Sequence, residues 1–222
     1  MSAGPIRSAS ETIAALRAAR VIAVIRAESA DEAVEIVSAL ASGGLRAIEV
    51  TFTTPGIEGA LDEARRRAGA GVLLGAGTVT RPDQVALAVD AGADFLVSPH
   101  LNLALLHEML ATGLLSVPGV LTPSEASFAL DAGAAVLKLF PASTVGVGHL
   151  RALHGPFPGL QVIPTGGVTP ATAREWLDAG ALAVGLGSEL LPRELRRAGD
   201  WDEIARRAAR LVADLATDGG RP

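Results

Sequence analysis

The most reactive side chain in the sequence is a lysine within an apolar segment. Lys138 is the only lysine among nineteen basic residues, and it lies in the run Ala-Val-Leu-Lys-Leu-Phe-Pro at 135–141. Short apolar runs bounded by glycine and proline predict strands that are buried on both faces. Burial favours the neutral, nucleophilic form of an amine, whereas arginine stays protonated. We therefore interpret Lys138 as a Schiff-base residue, with a buried structural ion pair as the alternative.

A carboxylate in a second apolar run is the natural partner of this amine. Glu49 lies in Ala-Ile-Glu-Val-Thr at 47–51, where an unpaired carboxylate is costly to bury. It either forms a structural ion pair with Lys138 or acts as a general acid and base beside an imine. Both interpretations require the two side chains to be close, so proximity alone does not separate them. The avoidance of lysine elsewhere favours the catalytic interpretation.

Two glycine-rich segments in the last third of the chain predict an anion site. Residues 164–168 read Pro-Thr-Gly-Gly-Val and residues 185–188 read Gly-Leu-Gly-Ser, each at the end of a predicted strand. Glycines let backbone N–H groups approach an anion, and the N-termini of the following helices favour negative charge. We predict a phosphate site here, with ordinary turn chemistry as the alternative.

The elements that must position these groups alternate regularly along the chain. Apolar runs predict eight strands, each followed by a helix, at 21–26, 47–51, 72–76, 95–97, 114–117, 136–140, 161–163 and 183–186. Asp-Ala-Gly-Ala recurs at 90, 131 and 178, which is typical of a helix end followed directly by a strand. The pattern predicts an α/β fold, a closed (β/α)8 TIM barrel with an additional N-terminal helix from about Ser10 to Arg20. An open doubly wound sheet is the alternative, but no Gly-x-Gly-x-x-Gly follows the first strand.

Length and composition limit the classes of function. The 222 residues accommodate a single barrel domain at 9–217, between a disordered lead-in at 1–8 and a flexible tail at 218–222. A net charge of −5 argues against a nucleic-acid partner, and no apolar run is long enough for a membrane span. The absence of cysteine fits a cytoplasmic protein, and the four histidines lack a metal-ligand spacing. The hydrophobic fraction of 49% is high for a monomer and indicates a subunit interface.

Seven short motifs occur in the order of a known family. They are Val-Ile-Ala-Val-Ile-Arg (21–26), Ile-Glu-Val-Thr (48–51), Gly-Ala-Gly-Thr-Val (75–79), Val-Ser-Pro-His (97–100), Pro-Gly-Val-Leu-Thr-Pro (118–123), Leu-Lys-Leu-Phe-Pro-Ala (137–142) and Pro-Thr-Gly-Gly-Val (164–168). Together they resemble the 2-dehydro-3-deoxy-phosphogluconate aldolase family, which includes 4-hydroxy-2-oxoglutarate aldolase activity. The resemblance spans residues 21–191. It implies a cofactor-free lyase that acts on a small keto-acid phosphate and assembles as a homotrimer.

The resemblance also assigns roles to individual residues. Lys138 corresponds to the Schiff-base lysine of the family and Glu49 to its proton-shuttling glutamate. Thr78, Pro99 and Phe140 match family positions that line the pyruvyl pocket, and Gly166, Gly167 and Ser188 match the phosphate site. To these we add Arg26, Thr53 and Thr165 as predicted substrate contacts and Gly187 as a predicted phosphate contact, because they also lie at the ends of predicted strands.

One position departs from the family pattern. Several members carry an arginine four residues after the glutamate, where it meets the substrate carboxylate, and Thr53 stands at that position here. Our hypothesis is that Arg26, at the end of the first strand, contacts the carboxylate instead. The departure leaves open whether the substrate is the 6-phosphogluconate derivative, its galactonate epimer or 4-hydroxy-2-oxoglutarate. Alternatives of other classes are a phosphate-binding isomerase or decarboxylase and a non-catalytic trimeric scaffold.

Overall fold

The computed structural model describes residues 7–216, which alternate between parallel strands and helices. The strands are β1 Val21–Ile25, β2 Ala47–Thr51, β3 Leu73–Gly77, β4 Phe95–Val97, β5 Leu115–Val117, β6 Gly119–Val120, β7 Leu137–Leu139, β8 Val162–Pro164 and β9 Val184–Leu186. The helices are α1 Ala9–Ala19, α2 Ala30–Ser42, α3 Ile57–Ala68, α4 Pro82–Asp90, α5 Leu103–Ala111, α6 Pro123–Asp131, α7 Ala142–Leu153, α8 Pro170–Asp178, α9 Arg193–Ala198 and α10 Trp201–Ala216. Residues 1–6 of the predicted lead-in and the predicted tail at 218–222 lie outside the described residues. None of the described helices is long and apolar enough to cross a membrane.

The strands pair in parallel and form a curled sheet. One run of hydrogen-bonded strands has the order β5-β4-β3-β2-β1-β9, and a second has the order β6-β7-β8. Pro118 separates β5 from β6, because proline has no N–H to donate, although its carbonyl still accepts from the Lys138 N–H at 2.9 Å. A bridge between Thr165 and Gly185 links the end of β8 to β9. The fifth predicted strand is therefore two short strands, and the carboxyl ends of all the strands face one end of the sheet.

Two hydrophobic clusters fill the two faces of this curled sheet. The larger lies between the strands and the helices and contains residues such as Leu40, Leu61 and Leu150. The smaller lies inside the curl, where alternate strand residues point. Its strand members include Ile22, Ala47, Leu73, Phe95, Val97, Leu115, Val117 and Ile163. The inner cluster reaches the carboxyl ends of β4 and β5, whereas β2 and β7 carry the polar residues Glu49 and Lys138.

Helix α1 packs against the amino-terminal side of this inner cluster. Ser8 and Glu11 cap the helix reciprocally, so the N-cap is Ser8 rather than a residue near Ser10. Leu16 is fully buried within the inner cluster. Arg17 donates to the side-chain oxygen of Gln161, just before β8, at 2.8 Å. The helix therefore covers the end of the sheet opposite the predicted site.

Glycines end or interrupt three of the helices. Helix α7 begins at Ala142, directly after β7 and Pro141, and Gly146 interrupts it with a positive φ of 72°. The short helix α9 has no buried residue and ends at Gly199, whose φ is 65°. Helix α3 ends at Ala68, and the following Gly69 has a φ of 75°.

Candidate active site

Lys138 and Glu49 meet inside the curled sheet. Lys138 is the middle residue of β7 and Glu49 the middle residue of β2, two strands that are not neighbours in the sheet. Lys138 Nζ lies 3.6 Å from Glu49 Oε1, and both side chains are only 4% exposed. The predicted proximity of the amine and the carboxylate is therefore present. It arises because both strands place these residues on the inward face.

The Lys138–Glu49 pair lies within ion-pair distance, but its nearest atoms are not hydrogen-bonded. Charge-assisted hydrogen bonds between nitrogen and oxygen are about 2.7–2.9 Å long, well below the observed separation. Glu49 Oε1 is buried and has no hydrogen-bond partner among the described residues. A buried carboxylate oxygen without a partner is costly in a resting fold. The arrangement leaves this oxygen available to a reacting group or a water beside the amine.

Glycines on neighbouring strands create the space for this carboxylate. Gly77 is the last residue of β3, and a Cβ there would collide with the Glu49 carboxylate. Gly75 stands two residues earlier on the same strand, and its missing side chain is replaced by the ring of Phe95. Alternation along β3 thus places both glycines on the inward face. From the sequence we interpreted these glycines only as part of a family motif. Their spacing of two residues at the end of a predicted strand was the signal that both lie on the same face of the sheet.

Phe140 connects the amine to a cavity at the carboxyl ends of the strands. Lys138 Nζ lies 5.4 Å from the centroid of the Phe140 ring, within the range of a cation–π contact. The same ring lines a cavity of about 140 Å³. Seven of the predicted site residues line this cavity: Arg26, Phe140, Thr165, Gly166, Gly167, Gly187 and Ser188. The structure therefore brings the four predicted phosphate contacts together in one cavity, whose Phe140 ring also lies beside the Lys138 amine.

The turn after β8 has a conformation that depends on glycine. Gly166 and Gly167 have φ values of 86° and 81°, in the left-handed region that side chains disfavour. The start of α7 holds this turn, because the Ser143 N–H donates to the Gly166 carbonyl at 2.9 Å. The N-terminus of α8 is already capped by Thr169, whose hydroxyl accepts from the Thr172 N–H. An anion would therefore face the turn itself rather than the first turn of α8.

Arg26 supplies the positive charge of the cavity. Its Nη1 lies 4.0 Å from the position that a Cβ would take on Gly187. Glu189 also lines the cavity, so the guanidinium offsets a nearby carboxylate. Thr53, by contrast, does not line the cavity, and its hydroxyl is hydrogen-bonded to that of Thr51 at 2.7 Å. Arg26 therefore lines the glycine wall of the cavity, whereas Thr53, which stands where the family has an arginine, does not line it.

Thr78 and Pro99 lie at strand ends but outside this cavity. Thr78 follows Gly77 and has a φ of 57°, which is unusual for a β-branched residue. Pro99 packs so closely on Gly119 that a Cβ on that glycine would overlap the Pro99 carbonyl. Neither residue contributes to the cavity lining. Among residues 7–216, no three His, Asp or Glu side chains cluster as metal ligands would.

A buried amine beside a buried carboxylate on the inward face of a parallel α/β sheet is typical of enzymes that process carbonyl compounds through lysine. Comparison with known proteins gives the family. A family model described as "Aldolase: KDPG and KHG aldolase" matches residues 12–207, where KDPG and KHG denote 2-keto-3-deoxy-6-phosphogluconate and 4-hydroxy-2-oxoglutarate. The chain belongs to this family, and the predicted class, a carbon–carbon lyase, is confirmed.

Individual relatives cover almost the whole chain but differ in substrate. The KHG/KDPG aldolase of Escherichia coli K12 is 37% identical over 195 residues, 86% of this chain and 90% of that protein. The 2-dehydro-3-deoxy-6-phosphogalactonate aldolase of the same strain is 36% identical over 193 residues, 86% of this chain and 92% of that protein.

A solved structure of the family confirms the α/β fold with parallel strands in a curled sheet. It is the KDPG aldolase from Legionella pneumophila, with pyruvate captured at low pH as a covalent carbinolamine intermediate. The two structures match with a TM-score of 0.83 at 33% identity, over 90% of this chain and 97% of that one.

Proposed function

We propose that this protein is a Schiff-base aldolase that cleaves 2-dehydro-3-deoxy-6-phosphogluconate to pyruvate and D-glyceraldehyde 3-phosphate. The observation that carries the proposal is the buried Lys138 amine, 3.6 Å from a Glu49 oxygen that has no hydrogen-bond partner among the described residues. A glycine-lined cavity carries Arg26 on its wall and is also lined by the Phe140 ring, whose centroid lies 5.4 Å from the Lys138 amine. The relative with a covalently captured pyruvate supports the same chemistry.

The reaction uses the two buried groups in succession. Lys138 attacks the C2 carbonyl of the substrate, and Glu49 helps the resulting carbinolamine to lose water. The iminium then accepts the electron pair released when the C3–C4 bond breaks. Glu49 takes the proton of the C4 hydroxyl through a water, and glyceraldehyde 3-phosphate leaves. Protonation of the enamine at C3, followed by hydrolysis of the imine, releases pyruvate and restores Lys138.

The substrate phosphate binds at the glycine wall of the cavity in this proposal. Gly166, Gly167, Gly187 and Ser188 offer a close approach to the backbone, and the Arg26 guanidinium lies beside Gly187. The position of Arg26 beside Gly187 supports a phosphate contact, whereas our sequence-based hypothesis assigns Arg26 to the substrate carboxylate. The remaining predicted contacts, Thr53, Thr78, Pro99 and Thr165, stay proposals for the pyruvyl half of the substrate.

The galactonate epimer is a second candidate substrate. A relative that carries this activity in its name is as similar to the chain as the KHG/KDPG aldolase is. The two phosphorylated substrates differ only in the configuration at C4, so the phosphate cavity serves both equally. The cavity favours either of them over 4-hydroxy-2-oxoglutarate, which has no phosphate to fill it.

Borohydride trapping tests the proposed chemistry. The protein is incubated with pyruvate and sodium borohydride, and the modified peptide is identified by mass spectrometry. We expect a reduced pyruvate adduct on Lys138 and no adduct in Lys138→Met. Folded protein that forms no adduct would contradict the proposal. Lys138 and Glu49 would then be interpreted as a structural ion pair. Steady-state rates with the two epimers and with 4-hydroxy-2-oxoglutarate then assign the substrate.

We infer that the curled sheet is a closed (β/α)8 barrel within a single domain at 9–217. The bridge from Thr165 to Gly185 and the continuous course of β5 and β6 through Pro118 support closure. Helix α1 is then the additional N-terminal helix that covers the barrel floor, with Leu16 inside it. Amide hydrogen exchange gives a test, because closure protects the amides at the ends of β8 and β9 as strongly as those within β2.

We also infer that the protein assembles as a homotrimer. Three large hydrophobic side chains are exposed on consecutive helices of the described chain: Leu87 (38%) on α4, Leu103 (44%) on α5 and Phe128 (57%) on α6. Exposed apolar side chains grouped on one side of a protein favour a subunit interface. Sedimentation equilibrium tests this inference. We expect a trimer for the natural chain and a smaller species for Phe128→Asp.

A further inference from the structure

The segment that carries Arg26 is held by side chains at three successive residues. The Arg26 carbonyl accepts a hydrogen bond from Arg196 Nη1 at 3.4 Å. The Ala27 N–H donates to Thr54 Oγ1 at 3.1 Å, and the Glu28 N–H donates to Glu32 Oε2 at 2.5 Å. The three partners belong to α9, to the segment after β2 and to α2. We call residues 26–28 the Arg26 segment.

One of these three contacts is buried, and the other two are linked through Glu32 and Arg196. The hydrogen bond from Ala27 to Thr54 is buried, with Thr54 2% exposed, whereas the hydrogen bonds of the Glu28 N–H and of the Arg26 carbonyl lie at the surface. Arg196 Nη1 also lies 2.8 Å from Glu32 Oε1, and these two side chains are 14% and 18% exposed. Glu32 therefore uses one oxygen for Arg196 and the other for the Glu28 N–H. The buried hydrogen bond and the partly buried, charge-assisted pair together hold the backbone of the Arg26 segment.

A fixed backbone determines where the Arg26 guanidinium can reach. An arginine side chain has many rotamers, and binding an anion restricts it to a few of them at a cost in entropy. A side chain whose backbone is already fixed loses less entropy when the anion binds. The Arg26 side chain extends from this segment towards Gly187, whereas its carbonyl is bound to Arg196. The contacts that hold the backbone of Arg26 therefore also limit the positions that its side chain can reach in the cavity.

We propose that Thr54, Glu32 and Arg196 are positioning residues that hold Arg26 in place for the anionic group of the substrate. This inference rests on the proposed function, because it assumes an anionic substrate in the cavity. The three residues do not line the cavity, so they act only through Arg26. A merely structural role predicts something different, namely that the pair of Arg196 and Glu32 fastens α9 to α2 and affects stability alone.

The chain offers a matched control for the loss of charge. Arg197 is the next residue of α9, is exposed, and lines the same surface groove of about 320 Å³ as Arg196, Glu28 and Glu32. Arg197→Met removes one positive charge from the same helix without removing a contact of the Arg26 segment. Thr54→Val removes the acceptor of the Ala27 N–H at nearly constant volume and changes no charge. The two substitutions in the network therefore separate charge from positioning.

Steady-state kinetics on the phosphorylated substrate measures the positioning effect. For Arg196→Met and for Thr54→Val we expect KM to rise roughly tenfold, part of the contribution of a charge-assisted hydrogen bond, with little change in kcat. Arg197→Met should leave both constants unchanged. In an Arg26→Met background the effect of Arg196→Met should disappear, since the residue acts through Arg26. An effect of equal size with and without Arg26 would overturn the proposal.

Hydrogen exchange and phosphate binding keep the test independent of catalysis. The amides of residues 27–28 should exchange faster in Arg196→Met and Thr54→Val than in Arg197→Met, and unchanged exchange overturns the proposal. Should the natural chain lack aldolase activity, the proposed function fails by itself. Calorimetric titration with inorganic phosphate then decides the positioning role. The positioning role is supported if Arg196→Met and Thr54→Val bind phosphate more weakly than the natural chain, and if this difference disappears in an Arg26→Met background. Equal binding in all variants contradicts the positioning role.

Discussion

Substitution of Gly77 by alanine should disable the catalytic carboxylate without touching a catalytic residue. A Cβ on residue 77 would lie 1.9 Å from Glu49 Oε1, whereas real Cβ atoms essentially never approach closer than 3.0 Å. The carboxylate must therefore retreat by about 1 Å, since β2 and β3 are hydrogen-bonded in register and cannot separate easily. Gly77 has no positive φ, so alanine fits its backbone and the effect is purely steric.

The size of the effect follows from this displacement. A shift of about 1 Å in a catalytic group costs about 100-fold in rate, or roughly 2.7 kcal/mol in the activation barrier. We expect kcat of Gly77→Ala to fall by about that factor, measured as pyruvate release in a coupled assay. Lys138 itself keeps its surroundings on β7. Borohydride trapping of pyruvate should therefore still label Lys138, at a lower rate.

Gly75→Ala is the matched control on the same strand and the same inward face. A Cβ on residue 75 would meet the Phe95 ring at 2.2 Å rather than the carboxylate. Such overpacking lowers the free energy of unfolding by about 1–3 kcal/mol. We expect a lower melting temperature but a kcat per folded molecule close to that of the natural chain. The reasoning is refuted if Gly77→Ala keeps a kcat within about threefold of the natural chain, or if both variants lose activity equally.

Three further substitutions test other parts of the structure. Thr78→Gly relieves a left-handed backbone and should raise the free energy of unfolding by about 1 kcal/mol in denaturant titrations, while activity falls. Burial alone would raise the pKa of Glu125, but hydrogen bonds from Leu121 and Thr122 lower it below the ordinary 4.5. The stabilisation is thus present above pH 4.5 and lost as pH falls through the lowered pKa, so Glu125→Gln should flatten the acid limb of stability against pH. Leu16→Ala should cost about 3 kcal/mol of stability, by the same titration, with kcat unchanged.

The strands and the proximity of Lys138 and Glu49 could be predicted from the sequence. Short apolar runs rich in Val, Ile and Leu form strands because parallel sheets bury both faces, so each predicted strand has an observed counterpart. Lys138 and Glu49 were predicted to lie close together because an unpaired charged side chain is costly to bury, and each is the natural partner of the other. Nothing in the spacing of 89 positions between them indicated the distance of 3.6 Å or the missing hydrogen bond.

The features that sequence reasoning missed depend on side-chain geometry across the fold. Ser8 and Glu11 are spaced as a capping box, and this local signal was available. The direction of Arg26 was not, because its segment is held by Arg196, which lies 170 positions later. The exclusion of Thr53 from the cavity likewise follows from its hydrogen bond to Thr51, which no residue pattern encodes.

The two ends of the site are fixed by different means, and this has a consequence for substrate choice. Glu49 is placed by strand register and by the absence of a side chain on Gly77, both properties of the rigid sheet. Arg26 is placed by side chains on α2, α9 and the segment after β2, which lie outside the sheet. Loops and terminal helices tolerate substitution more readily than packed strands do. Substitutions at the outer positions should therefore change the choice of substrate, whereas substitutions at Glu49 or Gly77 within the sheet should change the rate of the chemical step.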